Sequence, residues 1–251
     1  MANARESGPP QIFDRAAYRA RRARAAASGA FLADGAAAHI AERLEAMNRS
    51  FGSALDLGSR RRGPYSAFAK TWTGPDAALD EEALSLPPAS FDLVVSVLSL
   101  HAANDLPGVL VQIRRVLKPD GLFIAALFGG ETLNELRTAF AAAESEISGG
   151  VSPRVAPFAD VRDLGALLQR AAFARPVADV ERTIVRYGEL HTLFADLRAL
   201  GETNVLMGRR TTMLPRKLLA AVAYEYASRF ADTDGKLRAT FDIVYLAAYA
   251  P

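Results

Sequence analysis

Asp56 and Gly58 close a short apolar run, Ser53-Ala54-Leu55-Asp56-Leu57-Gly58, that reads as a strand ending in a glycine turn. Glycine there turns the backbone without a Cβ clash and lets a nucleotide-like ligand approach the main chain. By itself the tripeptide equally describes a plain strand terminus. Asp80 and Glu81 supply acids downstream, and the segment from Ser96 through Leu98 to His101 follows a second apolar run. His101, at a strand–helix junction, reads either as a base or substrate contact or as a structural imidazole. His39 and His191 fall inside helical patterns, and with no neighbouring ligand pattern a metal site is not expected. Arg60, Arg61 and Arg62 either hold a phosphate or acidic partner at a helix N-terminus or form a solvated loop.

The elements that must position these residues alternate along the chain. Helical spacing covers residues 16–27, rich in alanine and arginine, and residues 31–47, with Ile40, Leu44 and Met47 on one face. The arginine-rich helix suits either clamping an acidic partner or lying solvated over the sheet. Apolar strands follow at residues 53–58, 91–96 and 122–127, with a helix over 106–118 between the last two. Apolar on both faces, they predict adjacent parallel strands with right-handed crossovers. Further on, helices are expected over residues 131–146, 161–173, 190–200 and 216–230, and strands over 177–187 and 238–249. Phe241, Tyr245 and Tyr249 share one face of the closing strand. Gly129-Gly130-Glu131-Thr132 reads as a lid hinge or a helix start. The expected architecture is α/β: a doubly wound, mostly parallel Rossmann-like sheet with an N-terminal helical extension and an antiparallel edge. Residues 1–12 read as a flexible tail and residues 13–251 as one domain.

Composition narrows the function classes. The chain has 251 residues, 50% hydrophobic and 23% charged, which suffices for one sizeable core. A net charge of +2 gives no field that argues for nucleic acid or a membrane surface. No apolar run approaches the roughly 20 residues of a membrane-spanning helix. The absence of cysteine excludes disulfides and a thiolate nucleophile. With no secretory signal pattern, the expected location is cytoplasmic.

The order of Ala54-Leu55-Asp56-Leu57-Gly58, Asp80-Glu81-Glu82, Phe91-Asp92-Leu93-Val94-Val95-Ser96 and Leu117-Lys118-Pro119-Asp120-Gly121 resembles the class I S-adenosylmethionine-dependent methyltransferases. Ile12-Phe13-Asp14-Arg15, Leu98-Ser99-Leu100-His101, Asn104-Asp105-Leu106-Pro107, Gly129-Gly130-Glu131-Thr132-Leu133 and Gly201-Glu202-Thr203-Asn204 resemble one branch. That branch holds the complex I assembly factor 5 type, the arginine-hydroxylase relatives of the methyltransferase that esterifies malonyl carrier protein. The resemblance implies S-adenosylmethionine as cofactor, with Asp56 and Gly58 at its methionine and ribose side. It implies Asp80 at the adenine amino group with the Glu81 backbone beside it, and Ser96, Leu98 and His101 lining the methionine and substrate side. It also implies a protein or carrier-protein substrate or, in a catalytically inactive relative, an assembly partner in respiratory complex I biogenesis.

The departures predict weakened cofactor binding. Gly58 is followed by Ser59, Arg60, Arg61 and Arg62 where the family continues glycine-x-glycine. Too few residues separate Gly63 from Asp80 for the usual helix, strand and helix. A short helix over residues 64–70 and a strand over 71–78 fit, so a helix and its strand are expected to be missing or rudimentary, without the acid that binds the ribose hydroxyls. The tryptophan that usually follows this histidine is replaced by Ala102.

Overall fold

Three apolar runs decide the architecture. The computed structural model describes residues 10–25, 30–75 and 79–251. Within it, β1 (Phe51–Asp56), β3 (Phe91–Val97) and β4 (Leu117–Phe128) lie side by side in parallel, with Leu55 beside Val94 and Val94 beside Phe123. Val94, Val95, Phe123 and Ile124 are fully buried, as strands covered by helices on both faces require. β2 (Ala69–Thr73) adds in parallel on the far side of β1. Beyond β4 the direction reverses: β6 (Leu237–Tyr249) runs antiparallel to β4, and β5 (Ala174–Tyr187) antiparallel to β6. The order is β2-β1-β3-β4-β6-β5, the doubly wound sheet with an antiparallel edge that the sequence predicts.

Helices cover both faces. α2 (Phe31–Ala46), α4 (Asn134–Ser148), α6 (Leu190–Leu200) and α7 (Arg216–Phe230) pack Ile40, Leu136, Leu193 and Val222 against one face. Phe241 and Tyr245 are buried in that face, as their spacing predicts. α3 (Leu106–Val116) and α5 (Val161–Arg170) pack Val109, Ile113, Leu164 and Leu168 against the other. α1 (Arg15–Arg24) sits apart, at the carboxyl ends of the strands, over a small cluster of Phe13, Tyr18, Ala102, Val205 and Leu206.

The shortened interval is partly as expected. The helix after β1 has shrunk to one 3-10 turn, Pro64–Phe68, and Asp80 to Ala83 form only a turn. The neighbouring strand survives as β2, starting at Ala69 and ending at Thr73, so it is neither missing nor placed at residues 71–78. Residues 76–78 lie outside the described residues, as do 1–9 of the expected tail and 26–29 of the expected first helix. Ile12 is tied down, its amide donating to Asn104 Oδ1 at 2.8 Å.

Other boundaries differ too: α5 stops at Arg170 and β5 already starts at Ala174. Leu117 and Lys118 belong to β4, because Leu117 already pairs with Phe91. α4 begins at Asn134, and the Gly129 segment before it is neither a helix start nor a free hinge. Gly129 donates to the Asp242 carbonyl at 2.8 Å, Thr132 Oγ1 to the same carbonyl at 3.0 Å, and Leu133 to the Thr240 carbonyl at 2.8 Å, so the turn is stitched to β6.

Candidate functional site

The chain connections diverge at β1: β2 lies on one side and β3 on the other. Open α/β sheets hold ligands at such a switch point, beyond the carboxyl ends of the strands. Here a cavity of about 790 Å³ opens there, lined by Gly58, Ser59 and Arg60 after β1, Leu98 after β3, Glu81 from the β2–β3 connection, and Tyr18, Arg22 and Glu202.

Gly58 takes φ +78°, and Leu98 takes φ +46°, a strained left-handed conformation for a residue with a side chain. A Cβ at Gly58 would collide with Ser99 Oγ and Glu81 Oε1, so the glycine is demanded by the chain's own packing. Ser99 Oγ donates to Glu81 Oε1 at 2.7 Å, and Ser59 Oγ accepts from the Val97 amide at 3.2 Å. These bonds fasten the two strand-end loops to each other.

The expected site residues separate into two groups. Gly58, Glu81 and Leu98 line the cavity. Asp56, Asp80 and Ser96 do not. Asp56 is fully buried and accepts the Tyr65 hydroxyl at 2.7 Å. Burial raises its pKa, and hydrogen bonds from Ser59 and Tyr65 pull it back only in part. Asp80 turns its carboxylate to Arg19 at 3.0 Å and to the Glu82 amide at 3.1 Å. Burial would raise its pKa, but the Glu82 amide and Arg19 outweigh it and hold the carboxyl below its usual range. Ser96 is fully buried in β3, and its hydroxyl has no partner among the described residues. Arg60 lines the cavity but turns its guanidinium to the Ala199 carbonyl at 2.7 Å, at the end of α6. Burial lowers its pKa.

The arginine-rich helix turns part of its charge inward, while Arg24 stays exposed. α1 is capped by Asp14, whose side chain accepts from the Ala17 amide at 2.9 Å and from Arg209 at 2.7 Å. Three of its arginines clamp acids of this same chain, and Arg21 bonds the Asn204 carbonyl. Arg15 pairs with Glu81, both side chains 8% exposed. Arg19 pairs with Asp80. Arg22 donates to the Leu98 carbonyl at 2.6 Å, the Gly58 carbonyl at 2.8 Å and Glu202 Oε1 at 3.0 Å. Burial works against the Arg22 charge, but Tyr18, Glu202 and Glu81 more than offset it, so its pKa is raised. Tyr18 is fully buried beneath, its hydroxyl directed at the Ser99 carbonyl and Glu202. Glycine is needed again at Gly201 (φ +78°), where a Cβ would stand 3.0 Å from Arg22 Cα.

A second cavity, of about 750 Å³, lies on the other side of Glu202. His101 lines it, with Nε2 at 3.0 Å from Glu202 Oε2 and Nδ1 buried without a partner among the described residues. Phe128 and Phe158 pack edge-on against the imidazole. Arg21, Arg24, Arg154, Arg198, Arg209 and Arg210 line this cavity with one carboxylate, Glu202; Arg154 and Arg209 are paired with Glu144 and Asp14, and the others leave a surplus of arginine. Glu202, Tyr18 and Arg22 were not foreseen as site residues, whereas Ser99 lies within the segment from Ser96 to His101 that was. The one signal that could have found them is that the segments holding Phe13, Asn104, His101 and Glu202, far apart in sequence, meet around α1.

Comparison with known proteins gives consistent results. Residues 65–125 match the Methyltransferase domain family. Over 238 residues the chain is 38% identical to the human mitochondrial arginine-hydroxylase NDUFAF5, covering 86% of this chain and 69% of that protein. Over 167 residues it is 46% identical to the rat protein of that name, covering 66% of this chain and 48% of that one. It is also 38% identical, over 182 residues, to the malonyl-[acyl-carrier protein] O-methyltransferase of Xylella fastidiosa (strain M23), covering 72% of this chain and 59% of that enzyme. The chain thus spans about half to two thirds of the length of these relatives. A methyltransferase structure from Bacillus halodurans superposes with a TM-score of 0.55 at 13% identity, covering 84% of this chain and 98% of that one, a likeness of fold alone.

Proposed function

The chain belongs to the class I S-adenosylmethionine-dependent methyltransferase superfamily, alongside the NDUFAF5 arginine hydroxylases and the malonyl carrier-protein methyltransferases, and from that membership we propose that its switch-point cavity is a cofactor site working at reduced affinity. The observation that carries the reading is the cavity itself, set between the ends of β1 and β3 and floored by Gly58 and Leu98. As folded, it fits S-adenosylmethionine poorly. The carbonyls of Gly58 and Leu98 are held by Arg22. Arg60 and Arg62 add positive charge along the wall, while Arg61 is paired there with Asp34.

The second cavity is then the acceptor side, shaped for a protein- or carrier-borne substrate, with His101 facing it. Its surplus of arginine suits an acidic carrier or acidic peptide surface. No described helix is long and apolar enough to cross a membrane.

Calorimetric titration of S-adenosylmethionine and S-adenosylhomocysteine at fixed salt tests the reading. Weak binding is expected, with the homocysteine form at least as tight because it lacks the sulfonium charge, and Arg60→Gly should narrow that preference. Low-micromolar binding of S-adenosylmethionine to the wild type would overturn the weakened-site reading. The clamp of Arg22 on the cavity floor favours a second reading, a catalytically inactive assembly partner for respiratory complex I biogenesis. That reading requires that neither ligand bind even when Arg22 is removed.

A further inference from the structure

The floor of the first cavity is a cation subsite that the chain itself occupies. Two strand-end carbonyls, of Gly58 and Leu98, converge on one guanidinium, and both residues adopt left-handed backbone conformations. A carboxylate oxygen of Glu202 completes the set, and Arg22 bonds all three at 2.8, 2.6 and 3.0 Å. Two neutral acceptors and one anionic acceptor suit an ammonium or amidinium donor. A guanidinium never gives up its proton in such a setting, so the subsite is never vacated by titration. It is vacated only if α1 or the Arg22 side chain moves.

We propose that Arg22 is a tethered stand-in for a ligand's ammonium, and that cofactor entry is an exchange in which the ligand's α-ammonium takes Gly58 O, Leu98 O and Glu202 while Arg22 withdraws. The proposal rests on the cofactor reading above and explains its weakness. Each binding event must first displace a cation whose partners lie in a buried setting, so the apparent affinity is lowered by the population of the withdrawn state. The exchange conserves charge at the subsite: one cation leaves as one arrives, and Glu202 is never left buried without a partner. It also predicts which part of a ligand is penalised. A nucleoside that lacks the ammonium does not need the subsite and does not compete with Arg22.

Two ligands separate the terms. S-adenosylhomocysteine carries the α-ammonium, and 5′-methylthioadenosine has the same nucleoside and a thioether but no ammonium. Both are titrated into wild type, Arg22→Ala and Arg22→Gln, the second variant guarding against a fold defect in the first. Removing Arg22 should tighten S-adenosylhomocysteine about tenfold and leave methylthioadenosine unchanged, the factor being the opening cost removed. Without any nucleoside, methylguanidinium chloride should raise the Tm of Arg22→Ala relative to sodium chloride at equal ionic strength, and should not raise that of the wild type. Methylthioadenosine binding throughout while S-adenosylhomocysteine is unchanged or weakened in both variants overturns the exchange and leaves the cofactor site standing. Absence of any methylguanidinium effect likewise overturns it. Failure of both nucleosides to bind every variant overturns the cofactor reading and the exchange with it.

Discussion

Arg22 and His101 hold opposite oxygens of the same carboxylate: Glu202 Oε1 lies 3.0 Å from Arg22 and Oε2 lies 3.0 Å from His101. Glu202 is thereby the wall between the two cavities, and its charge is shared across it.

Glu202→Gln keeps the shape of that wall and removes its charge, leaving Arg22 buried without an anion. Breaking a buried pair from one side costs on the order of 3 kcal/mol. Urea denaturation at neutral pH should show a loss of that size. A change below about 0.5 kcal/mol, the level of an ordinary surface substitution, would show that the pair contributes little.

The same variant has a defined pH signature. Burial alone would raise the Glu202 pKa, but His101 and Arg22 overcome it and the net shift is downward from 4.5. A depressed carboxyl contributes stability above its unfolded value and loses it as pH falls through the folded value. The stability gap between wild type and Glu202→Gln should therefore narrow as pH falls below 4.5. Urea midpoints measured across pH 7 to 3 check this, and a gap that widens in acid contradicts it.

Gly58→Ala should destabilise the protein whether or not any ligand binds. The new methyl meets Ser99 and Glu81, and φ +78° is strained for alanine. A loss of about 1–3 kcal/mol is expected from the backbone term alone. A neutral outcome in thermal unfolding would show that the loop relaxes freely.

Tyr65→Phe removes the hydroxyl that Asp56 accepts at 2.7 Å in a fully buried setting. An unsatisfied buried acceptor costs about 1–3 kcal/mol. Because burial already raises the Asp56 pKa, the variant should lose stability more at pH 8 than at pH 5. Equal losses at the two pH values would place the ionisation of Asp56 elsewhere.

Much of this was legible in the sequence, for local reasons. α6 and α7 have the predicted bounds because their apolar spacing is helical from end to end. The parallel strands were visible as continuous apolar runs too short for helices. The start of α4 was misplaced because Thr132 and Leu133 are held by β6, over a hundred residues away, and no local propensity records that bond. The start of β2 was missed because Ala69 and Lys70 are weak strand formers that pair because β1 lies beside them. At the site, Gly58, Glu81 and Leu98 could be placed by motif, whereas Asp56 could not be told from a ligand contact without seeing Tyr65 over it. The role of Arg22 was out of reach, since its partner Glu202 lies 180 residues along the chain.

The place of β6 in the sheet imposes an order on biosynthesis. Among the described residues this strand follows all the others in sequence, yet it stands between β4 and β5 and joins them. When β5 emerges from the ribosome it has no neighbour to pair with, and β4 still offers a bare edge. The parallel block can assemble first, but the sheet closes only when residues 237–249 have been made and slide between two waiting strands. Until then the nascent protein carries two unpaired β edges, the form of chain that most needs a chaperone and that a premature stop before residue 237 would leave permanently open.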